Sequence, residues 1–61
     1  MFTSKPKVER VRHGLTQADL AEKARMPKYR YAFFEKGIMK LNEAELRRIS
    51  EVLGIEITNP F

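Results

Sequence analysis

The chain has 61 residues, 43% of them hydrophobic, with a net charge of +4, no cysteine and one histidine. A chain this short buries only about 60% of its unfolded surface, which supports a single small domain over residues 1–61. Without cysteine there is neither a disulfide staple nor a thiolate metal site, and the lone His13 gives no basis for a metal cluster or a Ser-His-Asp arrangement.

Ser4 is a good N-cap for a first helix running to His13, with Gly14 as its left-handed stop and Pro6 tolerated in the first turn. Val8, Val11 and Leu15 fall on one side and are expected to be buried, with Glu9 and Arg12 facing water. Thr16 starts the second helix. Asp19, three residues on, completes a capping box, and Leu15 with Leu20 can close a hydrophobic staple. Leu20 and Ala24 are the expected buried pair. Pro27 cannot continue this helix, so it ends near Ala24 or Arg25, and a third helix runs from about residue 27 to 36, stopped by Gly37. Tyr31, Phe34 and Ile38 form its expected inward stripe, with Lys28, Tyr29, Ala32 and Phe33 opposite. Asn42 caps a fourth helix, with Glu45 as the returning carboxylate and Leu41 and Leu46 as a second staple. Leu46, Ile49 and Leu53 are spaced for burial, Arg47, Arg48 and Glu51 face out, and Gly54 ends the helix. The tail I-E-I-T-N-P-F alternates too briefly to be a strand. An all-α fold of four helices follows.

Charge is unevenly spread. Residues 1–40 hold ten Lys/Arg against four Asp/Glu, and residues 41–61 hold two against four. A basic region beside a mildly acidic end suits a polyanion-binding face with a separate back, although ordinary solubilising charge gives the same count. No apolar run approaches the roughly 18 residues that span a bilayer, and no signal-peptide pattern opens the chain. A cytoplasmic protein without a membrane partner is expected. There is no Gly-rich phosphate loop and no obvious carboxylate pair, and the domain is too small for a usual substrate pocket, so neither an enzyme nor a cofactor is expected.

The segments L-T-Q-A-D-L-A-E-K-A, a turn, Y-x-x-F-E-K-G and then L-x-x-I-x-x-x-L-G-I resemble the helix-turn-helix family of lambdoid phage repressors and Cro proteins, the XRE type. The likeness covers roughly residues 5–57. It implies a compact bundle of four to five short helices and dimers on operators of approximate two-fold symmetry. It matches Thr16 and Gln17 to positions at a DNA phosphate, Lys28, Tyr29 and Phe33 to positions facing base edges, and Tyr31 and Phe34 to the core. Arg10 and Glu35 match a pair that joins the first and third helices by a buried ion pair. Each lies on a helix otherwise patterned for burial, where an unpaired charge is costly. Two departures stand out. Arg25 occupies the turn position where the family usually has glycine; a left-handed conformation there would cost it about 1 kcal/mol, which argues for a turn of different shape. The base-facing positions, mostly polar in the family, here include two aromatic rings.

The expected function is that of a sequence-specific, double-stranded DNA-binding transcriptional regulator, a small repressor acting as a homodimer through the third helix. A helix fits the major groove, and its first turns reach base edges. Lys28 can donate to guanine O6 and N7, Phe33 can meet a thymine methyl, and Tyr29 offers both a ring and a hydroxyl. Arg30, Lys36 and Lys40 flank that face and suit phosphates; Gln17 can present its backbone N–H and amide to another. Ile55, Ile57, Pro60 and Phe61, apolar and past the fourth helix, are the expected dimer surface. The alternative is a protein-interaction module, antitoxin-like or antirepressor-like, that docks a protein partner on the same aromatic face.

Overall fold

The computed structural model describes residues 4–59 and contains α1 (Lys5–Arg12), α2 (Gln17–Lys23), α3 (Lys28–Glu35) and α4 (Glu43–Leu53), with no strand among the described residues. Local chemistry sets each start. The Ser4 side chain accepts from the Lys7 backbone N–H at the head of α1. Thr16 with Asp19, and Asn42 with Glu45, form complete capping boxes on α2 and α4, each satisfying two of the helix's orphan donors. Pro27 is the N-cap of α3 with extended backbone, so that helix begins at Lys28.

The ends of the first three helices share one solution. After α1, Gly14 N–H donates to the Val11 carbonyl and Leu15 N–H to that of Arg10. After α3, Gly37 and Ile38 repeat the pattern on Phe34 and Phe33. After α2, Arg25 donates to Glu22 and Met26 to Ala21. This paired 6→1 and 5→2 bonding is the Schellman motif, which requires a left-handed residue. Glycine supplies it twice. In the turn between α2 and α3 it is Arg25, at φ 57°. The expected change of turn shape therefore does not occur: the left-handed turn is kept, and Arg25 adopts it.

Helix α2 packs against both α3 and α4, and α1 lies on α4. Leu20, Tyr31, Phe34, Ile49 and Leu53 are the largest fully buried side chains, with Ala21, Ala24, Met26, Leu41 and Ile57 completing the core. The small Ala21 and Ala24 let neighbouring helices approach closely. The inward stripe of α1 differs from the expected one. Val8 and Val11 are 42% and 60% exposed, whereas Pro6 is buried and Arg10 largely so. The helix turns Pro6 and Arg10 inward instead, Arg10 to pair with Glu35 on α3; the exposed C-cap His13 places its ring nitrogen Nε2 3.0 Å from the Leu53 carbonyl at the end of α4. Ile38 is also exposed rather than buried.

Residues past Gly54 fold back over α4. Ser50 Oγ donates to the Leu46 carbonyl and accepts from Ile57 N–H at 2.9 Å. The Asn59 amide makes a two-point contact with the Leu41 backbone, accepting at 2.9 Å and donating at 3.0 Å. Arg48, expected to face out, donates to the Ala24 carbonyl at 2.6 Å and so places a cation at the C-terminus of α2, where the helix dipole favours it.

Candidate nucleic-acid interface

The exposed side of α3 follows from the burial of its other side. Tyr31, Phe34 and Glu35 point into the protein, which leaves Lys28, Tyr29 and Phe33 outward. Tyr29 and Phe33 are one helical turn apart and 58% and 38% exposed. Their rings meet edge to face, with centroids 6.4 Å apart and planes at 73°. An edge-to-face pair is the favoured aromatic geometry, so the two rings form a single apolar ridge rather than two independent side chains. Lys28 precedes the ridge at the first helical position and is exposed.

Behind this face, Glu35 gathers three helices. Arg10 on α1 donates through Nε to Oε2 at 2.9 Å and through its terminal nitrogen to Oε1 at 3.1 Å. Gln17 on α2 donates to Oε1 at 3.0 Å, and the Tyr31 hydroxyl donates to Oε2. The third guanidinium nitrogen of Arg10 reaches the Leu15 carbonyl at 2.8 Å. Burial pushes the Glu35 carboxyl up, but the hydrogen bonds from Arg10, Tyr31 and Gln17 outweigh it and hold the group below the usual carboxylate range. Burial also raises the Tyr31 hydroxyl well above its ordinary value, helped by the neighbouring carboxylate. Tyr31 is therefore a neutral donor. No buried side-chain N or O among the described residues lacks a partner.

A second fork fixes α3 to α4. Arg30 Nε and its terminal nitrogen each donate to one Glu45 oxygen at 2.8 Å. This pairing lowers the Glu45 carboxyl, with burial opposing it and the Asn42 backbone N–H adding to it. Glu45 thus serves both as the capping carboxylate of α4 and as the anchor of Arg30. The guanidinium of Arg30, expected to suit a phosphate, is turned at least partly toward the protein.

The other expected contact residues are distributed as follows. Thr16 and Gln17 stand at the head of α2. The Thr16 hydroxyl accepts from Asp19 N–H, and the Gln17 amide spends one hydrogen on Glu35. Lys36 lies just past α3 on a concavity of about 310 Å³ lined also by Ser4, Lys7, Gln17 and Glu35. Lys7 there is a further cation, one that no local pattern marks, since nothing in the sequence around it says that α1 brings it beside α2. Lys40 lies in the exposed loop between α3 and α4. Of the expected dimer surface, Ile57 is only 3% exposed and belongs to the core, so it is unavailable to a partner. Ile55 is half-buried against the same core, and Pro60 and Phe61 lie outside the described residues.

A family profile described as helix-turn-helix matches residues 7–58, most of the chain, including both helices and the Arg25 turn. The chain belongs to the helix-turn-helix family, of the Cro/repressor (XRE) type. It is accordingly a double-stranded DNA-binding regulator of transcription, with α2 and α3 as the helix-turn-helix unit. Comparison with curated proteins and with solved structures returned no match. None of the described helices is long and apolar enough to cross a membrane.

Proposed function

We propose that this helix-turn-helix protein is a sequence-specific regulator, a small repressor that reads the major groove with Lys28, Tyr29 and Phe33. The observation that carries the reading is the outward face of α3, held rigidly from behind by Glu35 and from the side by the Arg30–Glu45 fork. A reading helix must keep its angle when the groove resists, and polar clamps to α1, α2 and α4 supply that stiffness. Phosphates on one flank fall to Thr16, Gln17, Lys7 and Lys36, and on the other to Arg30 and Lys40. Two copies on a two-fold symmetric operator double the few base contacts that one domain makes. Because Ile57 is taken by the core, that pairing draws on other tail residues and on the shared DNA. The protein acts on its DNA in the cytoplasm.

Selection from a random duplex pool, followed by titration in salt, tests this. A two-fold symmetric consensus is expected, with about five phosphates neutralised per complex and a log–log salt slope near −4 to −5. Lys28→Ala is expected to relax preference at one base pair, whereas Lys36→Ala weakens all sequences alike. A pool that enriches no sequence overturns the specific-regulator reading. The exposed ring pair also suits a protein surface; a partner lost on Phe33→Ala with DNA affinity unchanged favours that second reading.

A further inference from the structure

We infer that the Tyr29–Phe33 ridge recognises the C5-methyl group of pyrimidines, so that the protein prefers thymine or 5-methylcytosine at the bases it covers and discriminates against the unmethylated counterparts. This deepens the proposed function and rests on α3 entering the major groove.

The argument begins from what the two rings lack. Phe33 carries no hydrogen-bonding atom, and Tyr29 carries one, at the tip of its ring. In the major groove most base-edge groups are donors or acceptors, and the thymine methyl is the apolar exception. A ring pressed onto polar edges would strip them of water and return no hydrogen bond, which is unfavourable. The same ring over a methyl buries apolar surface on both sides. The two ring faces, apart from the Tyr29 hydroxyl at the tip, therefore have only one kind of base-edge partner that they can favour.

Its dimensions fit more than one such group. The ring centroids lie 6.4 Å apart, close to two successive base rises of about 3.4 Å along a strand. Mutual edge-to-face packing favours one arrangement of the two rings, so the pair tends to present its apolar faces together. Lys28, next to Tyr29 at the start of α3, supplies the donor that a neighbouring guanine would accept. The expected half-site is thus one guanine beside a short pyrimidine run bearing methyls. Methylating a cytosine at C5 puts the same group at the same place on the ring, which makes binding responsive to DNA methylation at those positions.

The test acts on the DNA and so leaves the protein fold untouched. The duplex selected above is resynthesised with deoxyuridine in place of each thymine in turn, removing one methyl at a time. At one or two positions per half-site, affinity is expected to fall about three- to fourfold, the value of one buried methyl, and at other positions to stay within 1.5-fold. Placing cytosine at a sensitive position and then methylating it is expected to restore a similar factor. In Phe33→Ala or Tyr29→Ala, whose side chains are exposed, one sensitive position should lose its response. A selected site with no deoxyuridine-sensitive position, or with sensitivity unchanged in both variants, overturns methyl recognition while leaving sequence-specific binding intact. A pool that enriches nothing overturns both.

Discussion

Arg25 illustrates how a single residue can carry a local cost for a global shape. The Schellman turn after α2 sets the direction in which α3 leaves, and its hydrogen bonds need a left-handed residue at position 25. Arginine in that conformation is strained by about 1 kcal/mol relative to glycine. Against this, glycine widens the unfolded ensemble, and the arginine charge sits favourably past a helix C-terminus. Arg25 is exposed, so its replacement removes no core packing. Arg25→Gly is therefore expected to gain about 0.5 kcal/mol, raising Tm by about 2–4 °C in a thermal melt, with Arg25→Ala giving no gain. A lower Tm for Arg25→Gly than for Arg25→Ala would show that the turn is not strained in the way described.

At the scale of helices, the starts are chemically determined and legible, while several faces are not. Thr16 with Asp19 and Asn42 with Glu45 announce α2 and α4 because a capping box is a local device, written within four residues. Asn42→Ala removes the acceptor for Glu45 N–H and loosens the hold of Glu45 on Asn42 N–H. The loss expected is about 1 kcal/mol in urea unfolding, with the slope of the transition unchanged; a neutral result would mean the box does not hold α4. The inward face of α1 escapes the apolar pattern because its inward residues are Pro6 and Arg10, and the Arg10 charge is met by Glu35, 25 residues away on α3. Nor does the local pattern show the pairings of Arg30, expected at a phosphate, and Arg48, expected to face out, since their acceptors, Glu45 and the Ala24 carbonyl, are 15 and 24 residues away. Periodicity cannot register a partner that only the tertiary fold brings near. The outward face of α3 is legible from the sequence: once Tyr31 and Phe34 are inward, the helical period alone sends Lys28, Tyr29 and Phe33 outward.

Across the whole molecule, two carboxylates join what the short helices cannot hold by apolar burial alone. Glu35 ties α3 to α1 and α2, and Glu45 ties α4 to α3, so all four helices depend on a negative charge. Both carboxyls titrate below their ordinary range in the folded state. A carboxyl with a lowered folded pKa binds its proton more readily when unfolded, at about 4.3. Its contribution is therefore complete above that value and is lost as pH falls through the folded pKa. Stability is expected to be flat from pH 7 to about 5 and to fall steeply below about 4. Removing Glu35 outright leaves Arg10 buried without its counter-charge, so Glu35→Ala is expected to cost about 3–5 kcal/mol and can leave the domain largely unfolded. Glu35→Gln is the more informative variant, because the amide oxygen still accepts from Arg10 while nothing at position 35 titrates. It should be less stable than the natural chain at pH 7 but lose less on acidification, narrowing the difference by pH 3.5. Urea midpoints at pH 7, 5 and 3.5 measure this directly. Parallel acid losses in the two proteins would place the acid-sensitive charge elsewhere and remove Glu35 from its position as the electrostatic centre of the fold.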